Sequence, residues 1–238
     1  MIIVESTSGN LGISLDYFAK KLGLEFQAII DKTIAKSKLQ EFKNRDIKYI
    51  FAPLHNYSDY RTARIALAKE LSIHQNYIWI NQYDNFANVE AHYKSTAPEI
   101  YKQMRGNIDI VIISMGTGGT ISGVAKFFKE KKKNIQIYGV EAIGSTIFGG
   151  VESNYINVGI GLKGENKILS KYKSLIDYNF KVSDDDAIEI TKKYKDIGFG
   201  ISTGYSLFIA LKVAKEYPSK NIVVIAPDGI EKYEDILR

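Results

Sequence analysis

The sequence predicts an α/β protein in which parallel sheets are covered by helices. Three observations carry that class. Short β-branched runs alternate with amphipathic helical runs along the 238 residues, and parallel strands need such crossovers. Turns rich in glycine or hydroxyl groups follow strands or precede helices, where binding sites of open parallel sheets lie. No apolar run approaches the length needed to span a bilayer.

Taken in order, Ile2–Glu5 is a short apolar run that reads as a strand, and Ile13–Leu22 has the spacing of an amphipathic helix. Strands are expected near Phe26–Ile30 and Lys48–Phe51, with a helix near Ala35–Lys43 between them. A long helix from about Tyr57 to Leu71, a short strand at Tyr77–Ile80 and a helix at about Asn88–Met104 follow. Ile108–Ile113 has the β-branched content of a buried strand, and Ile121–Lys131 puts Val124, Phe127 and Phe128 at helical spacing. Gln136–Glu141 and Ile222–Ile225 read as further strands. Gly149–Asn166 reads as a loop, and Gly198–Ser206 as a small-residue turn before an apolar helix.

Composition narrows the function classes. The 32 basic and 27 acidic residues give a formal charge of +5, a mild excess that suits an anionic ligand. Basic residues are not interleaved with aromatics on one face, which argues against nucleic acid. The run Lys129-Glu130-Lys131-Lys132-Lys133 reads as a solvated helix end. Cysteine is absent, and His55, His74 and His92 are too scattered for a metal centre, so no metal is expected. His92 reads as structural. Met1 leads into a strand without a basic leader, so neither a signal peptide nor a membrane is expected, and the location reads as cytoplasmic.

The most informative segment is Met115-Gly116-Thr117-Gly118-Gly119-Thr120, between a strand and a helix. The dinucleotide fingerprint would need glycine at position 121, which is Ile121, and the Walker pattern would need Gly-Lys-Ser/Thr. What remains suits one small monophosphate, held by the backbone N–H groups of Gly116, Thr117, Gly118, Gly119 and Thr120 and by the two threonine hydroxyls. The alternative is a tight turn without a ligand. A second turn, Ser6-Thr7-Ser8-Gly9-Asn10-Leu11-Gly12, again opens a helix; it could hold a carboxylate or be an ordinary N-cap.

Three further segments keep company with these two: Ile80–Asn88, Gly198–Ser206 and Ala226-Pro227-Asp228-Gly229. In order and approximate spacing, the five together resemble the cysteine synthase and cystathionine β-synthase family of fold type II pyridoxal-phosphate enzymes. The resemblance covers essentially the whole chain. Within that family, Ile80-Asn81-Gln82-Tyr83 and Gly144-Ser145-Thr146-Ile147-Phe148-Gly149 look most like the siderophore-type synthases of 2,3-diaminopropionate formation. The resemblance implies pyridoxal 5′-phosphate as cofactor. Gly116–Thr120 would hold its phosphate, Ser202 would face its pyridine nitrogen, and Asn10 would reach its 3′-oxygen. Thr7, Ser8, Gly9 and Gln82 would hold the carboxylate of an amino-acid substrate. Gly159-Ile160-Gly161 matches a family turn near the active site. Val158 and Phe86 stand where prolines are usual.

The resemblance further implies two domains with the cofactor in the cleft between them. Residues 13–100 would form a small mobile substrate-binding domain, and 1–12 with 101–238 a large cofactor-binding domain. The family's Schiff-base lysine lies in a Ser-x-Lys segment upstream of the carboxylate turn, and no lysine here stands at a matching position. The expectation is therefore a fold truncated at its N-terminus, with three histories open: a start placed too late, a complementing N-terminal polypeptide, or gene decay. The implied activity is β-replacement or β-elimination on an O-activated serine, by a homodimer. The competing reading is a catalytically silent protein of the same fold that binds a phosphate or amino acid.

Overall fold

The fold is that of a computed structural model describing every residue except 8, 55, 56, 58, 132, 133, 157, 158 and 238. It resolves into two compact units, Met1–Gln82 and Tyr83–Arg238. Each has its own parallel sheet with helices on it, which is the α/β class read from the alternation.

The first unit runs β1 (Ile2–Ser6), α1 (Asn10–Lys21), β2 (Glu25–Ile30), α2 (Lys36–Asn44), β3 (Lys48–Phe51), α3 (Tyr60–Leu71) and β4 (Tyr77–Trp79). Its strands lie in the order β3-β2-β1-β4, all parallel. Ile3, Phe26, Ala28 and Ile30 pack with Phe42 of α2 in one cluster, and Val4 and Ile29 with Ala63 and Ala68 of α3 in another. Alternate residues thus feed opposite faces, as the strand period dictates. Helix α3 starts where Asp59 accepts the Thr62 N–H at 3.0 Å, an N-cap worth about 1 kcal/mol.

The second unit contains α4 (Ala87–Ala91), a π-helical turn (His92–Thr96) and α5 (Ala97–Gln103), forming one continuous helical stretch. Then follow β5 (Ile110–Ser114), α6 (Gly119–Lys131), β6 (Gln136–Ala142), α7 (Lys167–Tyr172), β7 (Tyr178–Val182), α8 (Asp184–Lys193), α9 (Ile201–Glu216), β8 (Ile222–Val224) and α10 (Glu234–Leu237). The parallel sheet has the order β7-β6-β5-β8. Strand β5 is buried on both faces: Val111 and Ile113 join α6, while Ile110 and Ile112 join α9. Its unbroken β-branched run follows from that position.

Several expectations shift. Helix α1 begins at Asn10 rather than 13, and α6 at Gly119 rather than 121, so both turns run straight into helix. The helix read from about Tyr57 begins at Tyr60. The sheet element at Tyr178–Val182 and helices α7 and α8 were not read from sequence. The contacts group the chain as Met1–Gln82 and Tyr83–Arg238: β1 is hydrogen-bonded inside the first sheet, and α4 packs on α6. Among the described residues no helix is long and apolar enough to cross a membrane, and no cluster of three or more metal-ligating side chains is present.

One buried ion pair braces the first unit. Arg64 on α3 meets Asp31, after β2, at 2.7 Å, and both side chains are almost fully buried. Asp31 also accepts the Thr33 N–H at 2.7 Å. Removing one partner strands the other charge in the interior. Arg64→Ala is therefore expected to destabilise this unit by roughly 3–5 kcal/mol, read as a lower urea midpoint; a change under about 1 kcal/mol would refute the assignment.

Candidate functional site

Each unit carries one turn of binding character, and they are described separately. In the first unit β1 delivers Ser6 and Thr7 to the start of α1. Gly9, the N-cap residue, has no side chain to cap with. Thr7 Oγ1 substitutes, accepting the Gly12 N–H at 3.2 Å and the Gly9 N–H at 3.4 Å. Gly12 must be glycine here, since a Cβ would stand 2.9 Å from the Phe42 ring and 3.0 Å from Thr7 Cγ2. The Thr7 hydroxyl accepts inside the turn and keeps its own proton to donate. Ser8 lies outside the described residues. Gly9 is partly exposed and Asn10 is exposed at the first position of α1.

Gln82 is brought to the same place. Its N–H donates to Glu5 Oε2 at 3.1 Å and its side-chain Nε2 donates to the Ser6 carbonyl at 2.8 Å. Glu5 Oε1 accepts the Ser6 N–H at 2.8 Å. The Glu5 side chain is fully buried on β1, and burial pushes its carboxyl up to about 7, opposed by the main-chain N–H donors of Gln82 and Ser6. Thr7, Gly9, Asn10 and Gln82 thus cluster at the carboxyl end of β1. Glu5 was missed, although an acid closing the apolar run Ile2-Ile3-Val4 was a visible signal.

In the second unit the turn Met115–Gly118 leaves β5 and enters α6. Bare backbone is needed at Gly116 and Gly118 and is favoured at Gly119, the first residue of α6. A Cβ at Gly116 would lie 2.5 Å from the Gly159 carbonyl oxygen, and one at Gly119 would lie 2.0 Å from Asn88 Oδ1. Gly118 has φ +84°, the left-handed region that side chains disfavour. Gly161 N–H donates to the Met115 carbonyl at 2.6 Å, so the Gly159–Gly161 turn lies against this loop; Val158 before it is outside the described residues. Asn166 Nδ2 donates to the Thr117 carbonyl at 2.8 Å while its Oδ1 caps α7 through the Leu169 N–H. Carbonyls of the loop are therefore taken up by the protein, while the first N–H groups of α6 lack intrahelical acceptors. That polarity suits an anion.

Two side chains from the neighbouring helical stretch reach the loop's threonines. Asn88 Nδ2 donates to Thr117 Oγ1 at 3.1 Å, and His92 Nε2 lies 3.2 Å from Thr120 Oγ1. The two are four residues apart and share a helical face. Gly123 permits the approach: a Cβ there would meet the Val89 carbonyl at 2.5 Å. His92 Nδ1 is 2.9 Å from Thr96 Oγ1, and burial lowers the imidazole's pKa, so the ring is a neutral bridge between two hydroxyls. Sequence reading gave His92 a structural role and did not tie Asn88 to Thr117.

Ser202 lies at the start of α9, whose N-cap, Gly200, makes no side-chain cap. Its hydroxyl and that of Thr203 are buried without a hydrogen-bond partner. The backbone around them is firmly placed. Ser114, the last residue of β5, donates to the Ser202 carbonyl at 2.5 Å and lies 2.6 Å from Ser206 Oγ. Gly200 N–H donates to the Asp228 carbonyl at 2.9 Å, and Tyr233 Oη donates to Asp228 Oδ2 at 2.7 Å. Ser114 therefore couples the strand that feeds the glycine loop to the helix that carries Ser202. A buried hydroxyl without a partner is costly, and a ligand ring nitrogen would satisfy it. The glycine cradle, the helix start and this hydroxyl together fit pyridoxal 5′-phosphate.

The Glu5 carboxyl makes a checkable pH signature. Its folded pKa lies above the ordinary carboxylate value of 4.5. Its contribution to stability is then fully present below about pH 4.5 and is lost as pH rises through about 7, a swing of about 3 kcal/mol. Urea unfolding across that range should show the decline in the wild type and not in Glu5→Gln; identical profiles would count against a buried, titrating Glu5.

Comparison with known proteins agrees with this geometry. The family described as "Pyridoxal-phosphate dependent enzyme" matches residues 1–228. Cysteine synthase B of Campylobacter jejuni is 34% identical over 235 residues, covering 97% of this chain and 77% of that protein. Among solved structures, the O-acetylserine dependent cystathionine β-synthase of Helicobacter pylori superposes with a TM-score of 0.88 at 28% identity, covering 98% of this chain and 76% of the other. A cysteine synthase of Entamoeba histolytica gives 0.89 at 30% identity, covering 99% and 70%. With a family match over nearly its whole length and a fold shared with cysteine synthases, the chain belongs to the pyridoxal-phosphate dependent enzyme family.

Proposed function

We propose that this chain binds pyridoxal 5′-phosphate and an O-activated L-serine, in the service of β-replacement or β-elimination. The observation that carries the reading is the pairing, in one unit, of the glycine loop with the unpartnered buried hydroxyl of Ser202. When bound, the cofactor supplies an electron sink for the amino acid's α-carbon.

Backbone N–H groups of Gly116–Thr120 would hold the phosphate, with Thr117 and Thr120 donating through hydroxyls that Asn88 and His92 orient. The Ser202 hydroxyl would face the pyridine nitrogen. A hydroxyl leaves that nitrogen neutral, where a carboxylate would keep it protonated, and a weaker sink favours loss of a β-substituent over deeper carbanion chemistry. Thr7, Ser8, Gly9 and the Gln82 amide would bind the substrate carboxylate, and Asn10 is assigned to the cofactor's 3′-oxygen. Transfer of the α-proton is assigned to no residue of 1–238, because none matches the family's lysine. These roles are those of an amino-acid biosynthetic enzyme, and the relatives' names point to O-acetylserine as the donor.

Equilibrium dialysis against pyridoxal 5′-phosphate tests the cofactor half. Binding competed by inorganic phosphate is expected, and Thr117→Val should weaken it about fivefold, the equivalent of one hydrogen bond of about 1 kcal/mol. Ser202→Ala should weaken cofactor binding while leaving competition by phosphate intact. No binding by the wild type would overturn the reading. Acetate release from O-acetyl-L-serine by the cofactor-loaded chain supports an enzyme; tight cofactor binding without turnover supports the silent binding protein.

A further inference from the structure

Glu5 is an ionisable side chain at the heart of the first unit that none of the proposed chemistry uses. It stands on β1, next to the Ser6–Thr7 turn, with no exposed surface. The register of β4 on β1 ends at Trp79 opposite Val4, with one longer contact, Ile80 N–H to the Val4 carbonyl at 3.4 Å. Beyond it Asn81 turns the chain through a left-handed conformation, φ 55°. No strand ladder is left to fix Gln82. Its hold on β1 comes from side chains: the Gln82 N–H on Glu5 Oε2, the Ser6 N–H on Glu5 Oε1, and the Gln82 amide on the Ser6 carbonyl.

We propose that Glu5 is a positioning residue for amino-acid recognition: its carboxylate locks the Gln82 segment onto the Ser6–Thr7 turn, so that groups from two strand ends face the substrate carboxylate in fixed register. The inference rests on reading that turn as the amino-acid site. A carboxyl group is the side chain the geometry requires. Two backbone N–H groups point at two different oxygens, and a glutamine could accept only one of them while turning an N–H toward the other. Glu5 itself need not touch the ligand. Its two oxygens are already occupied by main-chain donors, and above about pH 7 its negative charge would oppose another carboxylate.

Trp79 is the only tryptophan of the chain and lies on β4 opposite Val4, the neighbour of Glu5. Its emission therefore reports on this corner alone. The experiment is a titration of the cofactor-free chain with O-acetyl-L-serine, followed by Trp79 fluorescence, for the wild type, Glu5→Gln, Gln82→Ala and the double variant. Glu5→Gln and Gln82→Ala are each expected to weaken binding about tenfold, with the double variant no worse than either, since both break one unit. Affinity for pyridoxal 5′-phosphate should stay unchanged in all four, which a general loss of structure would not allow. Unchanged O-acetyl-L-serine affinity in Glu5→Gln, or fully additive losses, overturns the inference and leaves the carboxylate site standing. Absence of binding by the wild type overturns the carboxylate site and the inference together. Should Glu5→Gln not fold, hydrogen exchange in the wild type decides: a Gln82 amide protected well beyond its loop neighbours supports the lock, and exchange at open-loop rates overturns it.

Discussion

The Gly159 carbonyl oxygen and the Asn88 side chain occupy the space that side chains at positions 116 and 119 would need. At position 116 the polypeptide passes so close to its own backbone that only naked main chain fits, and at 119 a side chain would displace Asn88. From that crowding the rest follows. The loop leaves β5 in one direction, enters α6 without a spacer, and aims its amides outward because its carbonyls are used internally by Asn166 and the Gly161 N–H. Asn88 and His92 can reach Thr117 and Thr120 only because Gly123 lets the two helices touch backbone to backbone. An anion at such a place would meet oriented dipoles that need no rearrangement.

The first unit solves a similar problem by other means. Asn81, left-handed after β4, turns the chain there, and polar side chains tie the segments together. Glu5 replaces missing ladder bonds, Thr7 replaces a missing cap, and Asp31 with Arg64 spans from the sheet to α3. Such buried polar groups stabilise little against an apolar alternative, but they admit few arrangements. The second unit uses the same device in Glu141, buried and accepting from Ser145 Oγ, the Ile147 N–H and Asn179, which fixes the Gly144–Gly149 segment.

Much of this was legible in the residues. Strands such as Ile110–Ser114 announce themselves because a strand buried on both faces has no polar positions to confuse the pattern. The glycine loop was legible because two competing nucleotide loops fail on spacing alone. Ser202 was visible as a hydroxyl near a helix start, though not its lack of a partner. What stayed hidden depends on contacts far apart in sequence. Tyr178–Val182 alternates apolar and polar residues as an edge strand does, but five residues between turns carry too little pattern to stand out. Asn88 and His92 look like ordinary helical polar residues until α6 is laid beside them. The division after Gln82 leaves no compositional trace, because the chain crosses it in a run of polar residues that continues on both sides.

The π-helical turn at His92–Thr96 carries a consequence for the helix that contains it. One extra residue in that turn rotates everything after it by about 100° relative to a regular helix. Before the turn, Asn88 is phased to reach Thr117; after it, Tyr101 is phased to pack edge-on to Phe127 and at a tilt to Phe128. A straight helix would have to compromise between these two alignments. The bulge lets the half that carries Asn88 and the anchoring half be set independently, so drift in the anchor's packing need not disturb the hold on Thr117.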